Sequence, residues 1–198
     1  MKIYDISQEV FSCKVYPGDD APIAQPVKRM SNGDTYNLTN FSMCAHNGTH
    51  IDAPSHFIKN GKTIDELSLD ALVGKAYVTE HNGTLSGENA INIIKKAKEL
   101  DLESAKRILI KGNAEVSLDA SKVFASSGIL LIGNESQSVG PLNAPMAVHL
   151  VLLSANVVLL EGIRLKEVKE GVYLLNAAPL NLSSADGAPC RAILIEQK

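Results

Sequence analysis

Apolar and polar positions along the chain follow short-range periods that predict a series of brief elements. Lys2–Ser7 sets Ile3, Asp5 and Ser7 against Tyr4 and Ile6, a period of two that predicts a first strand. Tyr16-Pro17-Gly18-Asp19-Asp20 is rich in turn formers and predicts a loop. Tyr36–Ala45 predicts a strand, and Thr63 with Glu66 three residues on has the capping-box spacing of a helix start over Thr63–Leu67. Lys75–Glu80 predicts a short strand. Over Glu88–Leu102, Ile91, Ile93, Ile94, Ala97 and Leu100 recur at helical spacing and predict an amphipathic helix. Arg107–Ile110 and Gly128–Ile132 predict buried strands, with a short helix between them at Asp119–Ser126. Pro141–Ser154 predicts an apolar helix with Pro145 in its first turn. Asn156–Leu160, Gly171–Asn176 and Arg191–Glu196 predict three more strands. Strands alternating with helices from Lys75 onward argue for an α/β fold. No linker or low-complexity segment divides the chain, so residues 1–198 are expected to form one domain.

Composition narrows the classes of function. A length of 198 residues suffices for one domain with a real core. A net charge of −3 without a dominant basic patch argues against a nucleic-acid partner. The opening Met1-Lys2-Ile3-Tyr4-Asp5 lacks the apolar run of a signal peptide. The longest apolar-rich stretch, Ala144–Leu160, is interrupted by His149, Ser154 and Asn156, short of the roughly 18 apolar residues that span a membrane. Cys13, Cys44 and Cys190 form an odd set with no CxxC spacing, which favours reduced thiols over a disulfide framework. A cytoplasmic protein without a membrane partner is expected.

The chemistry concentrates in Cys44-Ala45-His46-Asn47-Gly48-Thr49-His50-Ile51-Asp52-Ala53-Pro54-Ser55-His56-Phe57. Imidazole nitrogen and carboxylate oxygen are the usual donors to zinc or manganese. Gly48 and Pro54 break any regular helix, so the segment is a shaped loop or a strand end. His50 and Asp52 lie two apart and point the same way in an extended chain, and a turn at Gly48 would bring His46 to them. That leaves His56 for acid–base work. His81-Asn82-Gly83-Thr84 copies the first four residues, but Leu85 and Ser86 come next with no second imidazole or carboxylate, so His81 is read as a turn residue. Cys44, two residues before His46, is read as a small apolar residue on a strand rather than a nucleophile. His149 lies in an apolar helix, where imidazole without a partner costs about 1–3 kcal/mol. It is therefore either hydrogen-bonded in the core or a metal ligand. Glu161 closes the run Val157-Val158-Leu159-Leu160, and a carboxylate at the end of a buried strand is a common functional position in α/β sheets.

The string His-x-Gly-Thr-His-x-Asp-x-Pro-x-His, from His46 to His56, resembles the signature of the cyclase family, which includes bacterial metal-dependent kynurenine formamidases and isatin hydrolases. Asp5-Ile6-Ser7 resembles the family's opening strand, and Tyr16-Pro17-Gly18-Asp19 its aromatic-Pro-Gly-Asp loop. His149, with Leu152-Leu153 after it and Glu161 twelve residues on, resembles its second half-site. The resemblance implies a swivelling β/β/α domain assembled as a homodimer or homotetramer. It implies His46, His50 and Asp52 on one divalent metal, with Asp52 and Glu161 bridging to a second that His149 also binds, zinc before manganese. His56 would be the catalytic acid–base. The reaction implied is hydrolysis of a small amide, formamide or cyclic amide by a metal-activated water. The alternatives are a lyase or cyclase reaction on a sugar-acid or polyketide-like substrate, or metal binding without catalysis. Two departures bear on specificity. Tyr16, a candidate substrate contact, stands where formamidases carry tryptophan, and the chain has no tryptophan at all. The aspartates that the family often shows have no clear match in Gly133–Gly140.

Overall fold

The computed structural model describes residues 1–196. In chain order its elements are strands β1 (Lys2–Asp5), β2 (Ile23–Lys28), β3 (Leu38–Ser42) and β4 (His50–Asp52), then helix α1 (Leu69–Leu72) and strands β5 (Val73–Glu80) and β6 (Gly83–Leu85). Next come helix α2 (Gly87–Leu100), β7 (Arg107–Lys111), β8 (Ala114–Val116), α3 (Leu118–Ser126), β9 (Leu131–Asn134) and α4 (Met146–Ser154). The chain closes with β10 (Val158–Glu161), β11 (Gly171–Asn176), β12 (Gly187–Pro189) and β13 (Ile193–Glu196).

Nine strands form one mixed sheet in the order β1-β13-β11-β5-β7-β9-β10-β4-β12. Its centre, β5-β7-β9-β10, is parallel, and both flanks are antiparallel. The central strands are apolar at successive positions because both of their faces are covered. Ile108, Ile110, Ile132 and Leu159 face a layer built from α2, α3 and α4, with Ile93, Ile94, Phe124 and Leu152. Leu109, Leu131, Val158 and Leu160 face the opposite way. There they share one core with Leu175 and Leu194 from one end of the sheet and Ile51 and Ala188 from the other. The sheet therefore curls over itself and supplies two β layers beneath one helical layer, the α/β architecture expected.

Several boundaries move from their predicted places, each for a local reason. The first strand stops at Asp5, whose carboxylate accepts the Ser7 backbone N–H at 3.1 Å. In α2 the buried stripe is Ala90, Ile93, Ile94 and Ala97, while Ile91 and Leu100 are exposed; Ser86 and Asn89 cap its start reciprocally. At Thr63 the capping pair is present, with the Glu66 carboxylate accepting the Thr63 N–H at 2.9 Å, but it closes only a 3-10 turn over Ile64–Glu66. Helix α4 begins after Pro145 rather than at Pro141, and β10 runs one residue further, to include Glu161. The predicted strand over Tyr36–Ala45 narrows to Leu38–Ser42. It pairs with β2 as a separate exposed hairpin and leaves the strand before Cys44. Among the described residues no helix is long and apolar enough to cross a membrane.

Candidate metal centre

The turn before β4 is shaped by its own side chains. Asn47 Oδ1 accepts the Cys44 backbone N–H at 2.9 Å, and Gly48 takes a left-handed conformation, φ +69°, at little steric cost. Thr49 Oγ1 accepts the Gln8 N–H at 2.9 Å and donates to the Gly162 carbonyl at 2.8 Å, which fastens the turn to the segment after β10. Strand β4 then lies between β10 and β12, with Glu161 opposite His50 and Leu159 opposite Asp52. Directly opposed residues share a face. His50, Asp52 and Glu161 therefore project on the side of Leu159, toward the helical layer, while Ile51 enters the other core. From that layer α4 brings His149.

Five side chains converge there. Asp52 Oδ1 lies 2.9 Å from His46 Nδ1 and 3.3 Å from His50 Nε2. Glu161 Oε2 lies 3.5 Å from His50 Nε2, and Glu161 Oε1 3.2 Å from His149 Nε2. His149 Nε2 is also 3.5 Å from Asp52 Oδ2. The far nitrogens of two rings are tied to carbonyls, His50 Nδ1 to Gly48 at 3.2 Å and His149 Nδ1 to Pro145 at 2.9 Å. A carbonyl only accepts, so Nδ1 carries the hydrogen and Nε2 is the nitrogen offered to the centre. Val139 N–H donates to Glu161 Oε1 at 2.7 Å. His50, Asp52, His149 and Glu161 are all buried.

Burial alone would strip the proton from these imidazoles, but the contacts with Asp52 and Glu161 outweigh it and raise His50 and His149 to about 10. Burial likewise opposes a charged Asp52, yet His149, His46 and His50 hold its carboxyl well below the usual range. Among the described residues Asp52 Oδ2 has no closer polar partner than His149 Nε2 at 3.5 Å, a long contact for a buried carboxylate oxygen. The donor set is imidazole nitrogen and carboxylate oxygen, the chemistry of zinc and manganese sites. Ligand atoms of His46, His50 and Asp52 lie within 4.8 Å of one another, as do those of Asp52, His149 and Glu161, with Asp52 common to both sets. The residues present therefore fit one or two divalent ions.

A cleft of about 240 Å³ opens onto this cluster. His56 lines it, its ring stacked on His46 with centroids 4.1 Å apart. Tyr16 lines it too, donating its hydroxyl to the Leu142 carbonyl at 3.0 Å. Phe57 adds a second flat surface beside His56 and His149. From the segment without the family's aspartates, Gln137 and Ser138 reach the cleft. Asp186 was not singled out from the sequence. Its Oδ2 lies 3.0 Å from His46 Nε2 and 3.1 Å from His56 Nδ1. An Asp-Gly pair reads as a turn, and only the pairing of β12 with β4 reveals its company. Cys44 is half-buried in the turn rather than on a strand, and burial, with Asp19 nearby, pushes its thiol up, away from nucleophilic use. His81 lies in the two-residue link between β5 and β6 rather than in a turn, and its ring bonds the Thr84 carbonyl at 3.3 Å, away from the cluster.

Comparison with known proteins agrees with this geometry. Residues 4–141 match the family described as "Putative cyclase". A kynurenine formamidase from Salinibacter ruber is 33% identical, covering 98% of this chain and 97% of its own. A solved structure described as a potential metal-dependent hydrolase with cyclase activity superposes with a TM-score of 0.81 at 27% identity, covering 100% and 98% of the two chains. Isatin hydrolase A from Labrenzia aggregata shares the fold, with a TM-score of 0.83 at 19% identity over 99% and 94% of the two chains.

Proposed function

The chain belongs to the cyclase family, and from that premise we propose that it is a metal-dependent amidohydrolase acting on a small formamide, amide or cyclic amide. The observation that carries the reading is the convergence of three imidazoles and two carboxylates, with Asp52 common to both ligand sets, beside a cleft that His46, His50, His149 and Glu161 line. In this reading His46, His50 and Asp52 hold one ion, and Asp52, His149 and Glu161 hold a second. Zinc is the ion assigned and manganese the alternative, since the same donors serve both. A divalent ion bound there supplies Lewis acidity toward a carbonyl and acidifies water.

The residues do the rest. Two carboxylates buried together need compensating positive charge. Without an ion that charge comes from protons on His50 and His149, so binding a divalent ion exchanges for those protons. His56, at the cleft wall rather than in the buried cluster, is placed to take a proton from water and return it to the leaving nitrogen. Imidazole suits both halves of that exchange near neutrality.

The substrate in this reading is smaller or more polar than N-formylkynurenine. A cleft of about 240 Å³ falls below the ~300–1,000 Å³ of pockets that enclose drug-sized ligands. Tyr16 offers less flat apolar surface than tryptophan, and its hydroxyl is committed to Leu142. The test compares kcat/KM for N-formylkynurenine with that for small non-aromatic amides and lactones, in wild type and Tyr16→Trp. Small substrates should lead in the wild type, and the tryptophan variant should gain on the aromatic one. Hydrolysis of N-formylkynurenine above roughly 10⁴ M⁻¹s⁻¹, with poor turnover of the small substrates, would make the chain a kynurenine formamidase.

A further inference from the structure

We propose that Asp186 is the positioning residue of this site, and that its single oxygen Oδ2 sets the tautomers of both His46 and His56. The proposal rests on the roles given above to those two histidines and adds the group that orients them. His46 Nε2 and His56 Nδ1 approach the same oxygen, at 3.0 and 3.1 Å. An ionised carboxylate only accepts, so each of those nitrogens must carry a hydrogen. In the neutral form of each ring, the form that can bind a metal or accept a proton, the opposite nitrogen is thereby defined. His46 Nδ1 is left with its lone pair toward Asp52 Oδ1, 2.9 Å away. Two lone pairs at that distance repel unless a proton or a cation lies between them; a proton there makes His46 a donor to Asp52, and a divalent ion in its place makes His46 a ligand. His56 Nε2 is left as the nitrogen free to exchange a proton at the cleft.

The position of Asp186 is built into the sheet. Gly187 opposes Asp52 across β12 and β4, and the Asp186 carbonyl accepts the Ala53 N–H at 2.9 Å, so the backbone after the carboxylate is tied to β4 and the residue that follows it. Before the carboxylate, the Ala185 carbonyl accepts the Ile64 N–H at 2.8 Å. Ser184, at φ +59°, donates its N–H to Asp65 Oδ1 at 3.1 Å and anchors the approach. Gly187 has no alternative residue: a Cβ there would lie 2.6 Å from His46 Cε1 and 2.9 Å from the Ile51 carbonyl. That close approach lets the His46 ring lie against β12, with Nε2 at Asp186 and Nδ1 at Asp52. The same carboxylate keeps the His46 and His56 rings stacked with planes 30° apart. A shared oxygen couples metal holding to proton transfer, because one side chain orients a ligand and the acid–base group together.

The test uses zinc-loaded protein, the variants Asp186→Ala and Asp186→Asn, and each combined with His56→Ala. Nitrogen-15 spectra of the imidazoles in the wild type should show hydrogen on His46 Nε2 and on His56 Nδ1. Asp186→Ala should weaken zinc affinity, measured by chelator competition, by about 10–100-fold. At saturating zinc it should lower kcat by a similar factor with KM little changed. Asp186→Asn should fall between, because its carbonyl oxygen can occupy the one position both rings use. With His56 already replaced, Asp186→Ala should cost no further kcat. Wild-type zinc affinity and kcat in Asp186→Ala, losses that simply add in the double variant, or a His56 hydrogen on Nε2 would each overturn the proposal. If the wild type hydrolyses no amide at all, the functional reading falls, while zinc affinity and the imidazole spectra still decide the role of Asp186.

Discussion

His46-Asn47-Gly48-Thr49 and His81-Asn82-Gly83-Thr84 are the same four residues in the same order, and both pass through a left-handed glycine, φ +69° at Gly48 and +80° at Gly83. The first is a turn before β4, whereas the second joins β5 directly to β6. In both, the asparagine Oδ1 accepts a backbone N–H, from Cys44 in the first and Asn113 in the second. The likeness ends at the threonine, because the next residues differ and so do the strands opposite them. After Thr49 the chain enters β4, buried between β10 and β12, and carries His50 and Asp52 to Glu161 and His149. After Thr84 it ends the short strand β6, which pairs only with β8, and Ser86 caps α2. Four residues specify a left-handed glycine and an asparagine that accepts a backbone N–H, whereas a site requires the alternation beyond them and a neighbour that supplies opposing charge.

The sharpest way to break the comparison is to remove one imidazole from each side. His50→Ala should abolish bound metal and hydrolysis together, while His81→Ala should leave both intact, as read by elemental analysis and a formamide assay. If the two substitutions behave alike, the buried cluster has no special standing. His56→Ala refines the first half of that contrast. It should keep most of the metal and lose activity on the order of 10²–10⁴-fold, the usual scale of general acid–base catalysis. Should metal leave with His56, that residue is a ligand and its assigned role is wrong.

The two glycines give a smaller and more discriminating effect. Alanine in a left-handed conformation costs about 1–2 kcal/mol. A Cβ at Gly83 meets nothing within 4 Å, and one at Gly48 meets only ordinary contacts with Cys13 and Gln8. Gly48→Ala and Gly83→Ala should therefore destabilise by similar amounts in urea unfolding. Only Gly48→Ala should lower metal affinity, because that turn delivers Thr49 and His50 into the site. Equal retention of metal would show that β4 holds its ligands without help from the turn.

The last expected effect is a pH dependence of stability that is steepest in the metal-free protein. His50 and His149 are raised to about 10 by Asp52 and Glu161, against about 6.5 for unfolded imidazole. A group raised on folding contributes stability that is complete below its unfolded value and lost as pH climbs through its folded one. The urea midpoint of chelated protein should fall between pH 6.5 and 10, and more steeply than that of zinc-loaded protein. Parallel curves would contradict the imidazolium–carboxylate pairing.

The two segments also differ in how much of their surroundings was legible in the sequence. His50 and Asp52 were readable because extended chain repeats every two residues, and His46 because Gly48 announces the turn. His149 and Glu161 were ambiguous as single residues; the register of β10 against β4 and the approach of α4 decide that they meet. Asp186 carried no local signal, since its partners lie 140 and 130 residues away. The central strands were recognisable from apolar runs buried on both faces. By contrast β2 and β3 expose nearly every residue, so no burial pattern marked β2 and the bounds of β3 were misplaced. Ile91 and Leu100 satisfied a helical period yet face solvent, because the helix turned Ala90, Ile93, Ile94 and Ala97 to the sheet instead.

If the buried cluster around Asp52 works by holding a divalent ion for amide hydrolysis, the ion and the activity must come and go together. The most direct measurement is turnover of N-formyl amines, isatin and simple lactones by purified protein, before chelation, after it, and after zinc or manganese is returned. Hydrolysis should vanish on chelation and recover with the ion in wild type, and fail to recover in His50→Ala. Unchanged hydrolysis by protein shown to be metal-free would contradict the account.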